Sequence, residues 1–182
     1  MTSLKGHLLL ASPDLLDPNF ARSILLMIDH DREHASGVIL NRPTSATIAD
    51  ISEQVFDEPL DWDKPLHLGG PVVGPLMVIH TDGDLSDREV LPGIYSTIDA
   101  DRVRILLTNR AEPTLIVANY AGWGPGQLEA EIKEGSWRLV AAEPGRVFGL
   151  DDDDWEAIVR EIDANQIPRI LGIDLPADPS LN

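Results

Sequence analysis

The sequence predicts an α+β fold, a mixed β-sheet with helices packed on it. Three observations predict it. Strand-length apolar runs outnumber stretches with helical spacing. Two early runs are separated by a polar, charged segment and read as an antiparallel hairpin. The strict strand–helix alternation that builds a doubly wound parallel sheet is missing.

The elements follow in chain order. His7–Ala11 reads as a short strand that stops at Ser12-Pro13. Asp17–Arg22 reads as a short helix, with Asp17 as cap and Pro18 in the first turn. Ile24–Ile28 and Gly37–Leu40 are the two hairpin strands. Asp29–Ser36 is the loop between them, and it places His30 and His34 in solvent. Thr44–Val55 has a cap-rich start, and Ile48, Ile51 and Val55 share one helical face. Phe56–Pro65 is an exposed connection. Leu66–Leu68, Leu76–His80 and Gly93–Ile98 are strand-like, and the acidic Thr81–Glu89 is a turn. Asp99–Thr108 reads as a helix capped by Asp99. Thr114–Tyr120 reads as a central strand, because its apolar run is rich in β-branched residues. Gly124–Glu134 reads as a helix, Trp137–Val140 as a strand, and Asp151–Ile162 as a helix with acidic residues at its positive end. Residues 1–165 form one domain in this reading, and 166–182 a partly ordered tail.

Composition removes several functions. The chain has 182 residues, with 31 acidic against 14 basic side chains and a formal net charge of -17. A nucleic-acid footprint needs clustered Lys and Arg, so direct nucleic-acid binding is disfavoured. There is no cysteine, hence no disulfide, no thiolate metal site and no cysteine nucleophile. No stretch has the length and apolarity of a membrane span or a signal peptide. The expectation is a cytoplasmic protein with no membrane contact. The sequence leaves its oligomeric state open.

No catalytic constellation is recognisable, which leans the reading away from an enzyme. The five histidines show no His-Glu-x-x-His spacing, and no metal site is expected. Ser12 and Ser23 lack the tight glycine-flanked turn of a serine nucleophile. The loop with Asp82, Asp84, Asp87 and Glu89 lacks the glycine and distal glutamate of a calcium loop. No cofactor motif occurs: the glycines near residue 122 match neither a phosphate-binding loop ending in Gly-Lys-Ser/Thr nor a dinucleotide fingerprint.

Three turns carry the remaining interest. Asn41-Arg42-Pro43 follows a strand, and Arg42 can pair with a carboxylate or offer its guanidinium to an anion. Gly69 and Gly70 permit a close backbone approach. Tyr120–Leu128 places Gly122, Trp123, Gly126 and Gln127 between a strand and a helix. That junction can hold an anion on free N–H groups with Trp123 as a stacking face, or it can be a tight turn with Trp123 at the core edge.

Taken together, these segments resemble a known family. Ser12-Pro13, Asp17–Ser23, Gly37–Pro43, Leu68–Val72, Tyr120–Glu129 and Trp137, in this order and spacing, resemble the AlgH/YqgE-like family of small bacterial proteins over residues 3–165. The resemblance implies an α+β fold with a mixed, partly barrel-like sheet and flanking helices. It implies a transcriptional regulator in name, a label that comes from a regulatory phenotype. It implies no catalytic residues. Its motif positions here are Asn41, Arg42, Gly69, Gly70, Tyr120, Gly122, Trp123, Gly126 and Gln127, which together form the expected ligand-binding site. With the charge, this points to indirect regulation through a small-molecule or protein partner. The alternative is an enzyme or binding protein for a small anionic or nucleotide-like molecule, held by the Arg42 and Trp123 loops.

Overall fold

The computed structural model describes residues 2–171. Three antiparallel strands open the chain: β1 (His7–Ala11), β2 (Ile24–His30) and β3 (Ala35–Ile39). Then come β4 (Pro43–Thr47), α1 (Ile48–Phe56), β5 (Pro65–Leu68), β6 (Met77–His80), β7 (Arg88–Leu91), β8 (Ile94–Thr97), α2 (Ala100–Thr108) and β9 (Thr114–Ala118). The last elements are β10 (Ala121–Trp123), α3 (Gln127–Lys133), β11 (Trp137–Ala141) and α4 (Asp152–Leu171).

The α+β class holds, and the strands divide into two sheets rather than one. The first has the order β10-β3-β2-β1-β11 and is antiparallel throughout. The second has the order β4-β5-β9-β6-β8-β7, with β5 and β9 as its parallel pair. No closed barrel forms from these strands.

Alternation along β1 and β2 explains the layering. Leu8, Leu10, Ile24 and Leu26 face Ile79, Leu115 and Val117 of the second sheet, with Trp155, Ile158 and Val159 of α4 closing the same cluster. Leu9, Leu25 and Met27 point the other way, into a cluster with Trp123, Leu128 and Trp137. Both faces of β2 are therefore dry along Ile24–Ile28, so that stretch is an unbroken apolar run rather than an alternating one. The outer face of the second sheet packs Val78 and Ile116 on Ile48, Val103, Leu106 and Leu107 of α1 and α2.

Several expected elements take a different form. Asp17–Arg22 is a single turn: the Asp17 carbonyl accepts from Phe20 and Ala21, and Arg22 leaves at φ 60°, so no helix propagates. Pro43–Thr47 is an edge strand, and α1 begins only at Ile48, after Asp50 accepts hydrogen bonds from the Thr47 N–H and hydroxyl. The end of the Thr81–Glu89 segment enters β7. His30 is the last residue of β2 and is buried, because its ring nitrogens are engaged on both sides (Leu4 N–H, 2.9 Å; Glu129 carboxylate, 3.0 Å). The helix begun near Asp151 continues to Leu171, and the rest of the expected tail, 172–182, lies outside the described residues.

Leu25 is fully buried between strands. Leu25→Ala is expected to lower the unfolding free energy by about 2–5 kcal/mol, read from denaturant titration.

Candidate functional site

Asn41 stands just past β3 and is buried. Its Oδ1 accepts from the Ile24 N–H at 2.8 Å, and its Nδ2 donates to the Arg22 carbonyl at 2.9 Å. One side-chain amide thus satisfies the backbone on both sides of Ser23, where β2 begins. Arg42 donates from Nη1 to the Asn19 carbonyl and from Nη2 to the Ala21 carbonyl, the latter at 3.1 Å. It staples the 17–22 turn to the end of β3.

The two glycines serve close approach. Gly69 donates to the Ala118 carbonyl at 2.8 Å and accepts from the Ile39 N–H at 2.9 Å, joining the two sheets. A Cβ on Gly69 would lie 2.3 Å from the Val117 side chain, and one on Gly70 2.3 Å from the Tyr120 backbone. Tyr120 exchanges two backbone hydrogen bonds with Val72. Its ring passes so close to Gly74 that a Cβ there would sit 2.8 Å away.

Trp123 is buried in an aromatic cluster. Its ring stacks on Phe20 with centroids 6.3 Å apart, and meets Trp137 edge-on at 6.0 Å. Glu131 holds the cluster: its Oε2 accepts from the indole N–H of both Trp123 and Trp137, each at 2.8 Å. Its Oε1 accepts from the Gln127 amide at 2.9 Å, and Gln127 in turn accepts from the Gly124 N–H. Gly126, at φ 70°, provides the left-handed residue that starts α3. Sequence reasoning missed Glu131 and Phe20. The signal for Glu131 was its place four residues after Gln127, one helical turn along the same face.

The three motif turns are backbone neighbours. Leu68 N–H donates to the Arg42 carbonyl at 2.9 Å, and Gly70 lies against Tyr120. Their side chains point apart: Trp123 into the aromatic cluster, Arg42 onto the 19–21 carbonyls. A cleft of about 410 Å³ opens beside Arg42, and Asn41 and Arg42 are the two expected site residues on its wall. Arg22 and Pro43 share that wall, and Asp151, Asp152 and Asp153 face them from the start of α4. Arg22 is tied down by Glu156 at 2.8 Å and lies 4.8 Å over the Trp155 ring. Its guanidinium holds the Glu156 carboxyl below the usual range. Asp151 accepts from the Asp153 and Asp154 N–H groups and caps the helix. The Asp152 and Asp153 carboxylates have no partner among the described residues.

Among the described residues no buried histidine ring hydrogen-bonds a serine hydroxyl. His80 accepts from the Asp82 N–H and contacts Thr97 Oγ1 at 2.8 Å, and burial pushes its pKa down. Burial does the same to His67. Among the described residues no group of three or more His, Asp or Glu side chains is placed to hold a metal ion, and no helix is long and apolar enough to cross a membrane.

A family model described as AlgH-like matches residues 8–166. The chain belongs to the AlgH-like family. A relative called UPF0301 protein in Chlorobaculum tepidum is 44% identical over 149 residues, spanning 79% of this chain and 78% of its own. Another UPF0301 protein, from Streptomyces avermitilis, is 37% identical and spans 100% of this chain and 97% of its own. The solution structure of the AlgH protein from Pseudomonas aeruginosa superposes with a TM-score of 0.74 at 30% identity, covering 97% of each chain. A Corynebacterium diphtheriae protein shares the fold, with a TM-score of 0.69, 23% identity and coverage of 88% and 87%. These relatives carry family names without a stated activity.

Two substitutions test the scaffold of this AlgH-like site. Asn41→Ala strands a buried N–H and a carbonyl, and is expected to cost about 1–3 kcal/mol of stability in chemical denaturation. Glu131→Ala frees two indole N–H groups. It is expected to shift tryptophan emission to the red and to lower the unfolding free energy by at least about 1.5–3 kcal/mol.

Proposed function

We propose that this AlgH-like protein works in the cytoplasm as a binding protein, and that it influences transcription indirectly, through a ligand or protein partner seated in the cleft beside Arg42. The observation that supports this reading is the pair of unpartnered carboxylates, Asp152 and Asp153, on the wall of a cleft of about 410 Å³. They suit a partner that brings a positive group, an ammonium or a guanidinium. The chain's net charge of -17 draws such a group in and repels phosphates. Direct DNA binding is disfavoured on the same ground.

The rival reading, a small anionic or nucleotide-like molecule held by the Arg42 and Trp123 loops, has less support. Arg42 is committed to two backbone carbonyls, and Trp123 is buried between Phe20 and Trp137. What favours it is the presence of Arg22 and Arg42 on the cleft wall.

A thermal-shift panel separates the readings. Arginine, lysine amides and linear polyamines are set against nucleotides and dicarboxylates. A ligand at a hundred times its dissociation constant adds about 2.7 kcal/mol of stability. Stabilisation by the cationic probes, lost in the Asp152→Asn, Asp153→Asn double variant, is the expected result. Stabilisation by nucleotides alone would transfer the cleft to the rival reading, and silence across the panel would remove it as a site. Mobility shift of DNA at low salt would restore direct binding.

A further inference from the structure

Strand β2 carries one residue more than its partner β3. Met27 lies opposite Gly37 and Asp29 opposite Ser36, so Ile28 is the extra residue of a β-bulge. Strict alternation would send Asp29 to the face of Leu25 and Met27, into the tryptophan cluster. With Ile28 inserted, Asp29 and Ser36 turn instead into a cleft of about 240 Å³ that both sheets line.

The second sheet brings a matching pair. Arg88 of β7 stands directly opposite Ser96 of β8, and both line the same cleft. Arg88 donates to the Asp29 carboxylate, so an ion pair crosses from one sheet to the other with a serine opposite each end. Asp87 stands on the same wall. Its Oδ2 accepts from the Ile98 and Asp99 N–H groups at 2.7 and 2.9 Å, and its Oδ1 from Arg102 at 2.7 Å. Burial alone would raise both carboxyls. Arg88 at Asp29, and the two N–H groups with Arg102 at Asp87, outweigh it and hold both below the usual carboxylate range. The two carboxylates and the two guanidiniums balance. Ile28, Met77 and the half-exposed Ile98 make the apolar part of the wall.

Polar capacity is left over. Ser96 is 5% exposed, and its hydroxyl has no hydrogen-bond partner among the described residues. The hydroxyls of Ser23 and Thr114 are also unpartnered, but they are sealed from solvent, whereas Ser96 lines the cleft. The Ser36 hydroxyl and the Nε and Nη2 groups of Arg88 have no partner among the described residues either.

We infer that this cleft binds a free apolar α-amino acid. A simple anion would meet two carboxylates there, and a simple cation would meet Arg88. A zwitterion gives its carboxylate to the unused N–H groups of Arg88 and its ammonium to Asp29 and Asp87. The hydroxyls of Ser36 and Ser96 serve either end. Opposite charges in contact on the wall call for opposite charges close together on the ligand, which an α-carbon supplies. The apolar side chain lies against Ile28, Met77 and Ile98. The volume is below the roughly 300–1,000 Å³ of sites for drug-sized ligands, which limits the occupant to a molecule of this size. The cleft shares no lining residue with the one beside Arg42.

Titration of the full-length protein with L-alanine, L-valine, L-leucine and L-methionine tests this, followed by methyl chemical shifts and thermal unfolding. At least one of the four is expected to stabilise the protein and to shift the methyl signals of Ile28, Met77 and Ile98. For valine, 3-methylbutanoate lacks the ammonium and 2-methylpropylamine lacks the carboxylate, and both are expected to bind more weakly by about tenfold or more. Ser96→Ala removes a hydroxyl that the fold does not use. It is expected to leave the midpoint of unfolding unchanged or higher and to weaken binding by about tenfold, and Ser36→Ala, on a half-buried position, is expected to weaken it as well. The Asp152→Asn, Asp153→Asn double variant is expected to bind as the parent does, which keeps this site apart from the Arg42 cleft. The inference is overturned if none of the four amino acids binds, if the shifts fall elsewhere, if either fragment binds as tightly as valine, or if both serine variants bind as tightly as the parent.

Discussion

The structure depends on one constraint: β1 and β2 are buried on both faces. The second sheet covers one face, and the Trp123–Trp137 cluster with α3 covers the other. Between their polar ends, at His7 and at Asp29-His30, these strands carry only apolar side chains. The polar groups at the entry to β2 are therefore met from just beyond the strand ends. Ile24 N–H and the Arg22 carbonyl flank the entry to β2, and a single buried amide, Asn41, answers both. The turn before that entry cannot continue as a helix, so its exposed carbonyls are taken by Arg42. Two of the residues that read as a ligand site in the sequence, Asn41 and Arg42, hold the entry to this strand.

The same logic reaches the glycine motifs. The two sheets come together where Gly69 bonds to Ala118 in one and Ile39 in the other. No Cβ fits between them at that junction. On the far side of the first sheet, Glu131 collects two indole N–H groups and the Gln127 amide, and so fixes α3 against β11 and β10. A carboxylate with three donors around it is well satisfied, and it makes the packing of two tryptophans specific rather than merely apolar. The carboxylates without a partner among the described residues, Asp152 and Asp153, lie elsewhere, at the start of α4.

The long or strongly patterned elements were legible in the sequence. The hairpin of β2 and β3, the helix capped by Asp99, the central strand β9 and the apolar spacing of Trp155, Ile158 and Val159 all follow from periodicity and caps. The short edge strands were not. β4, β7 and β10 are held by neighbours rather than by their own pattern: the residues of β4 read as the start of a helix, and those of β7 and β10 fall largely in segments that read as turns. His30 was misplaced for a related reason. Its neighbours Asp29 and Asp31 are charged, and its burial comes from Leu4 and Glu129, far away in sequence. The neighbourhood of the three motif turns was legible; the direction of each side chain was not, because it is set by partners such as Asn19, Phe20 and Glu131 that no local pattern announces.

The pairing of β1 with β11 has a consequence for how the chain reaches its fold. His7 lies opposite Ala141, and Trp155 of α4 donates to the Ala11 carbonyl across 144 residues. During synthesis β1 emerges well before its outer partner, because more than a hundred residues separate the two. Until then one of the most apolar strands in the protein has an open edge, and contacts of such long sequence separation form slowly. The closing of this sheet is thus tied to the emergence of β11, and the nascent protein is most exposed to misassociation just before β11 appears.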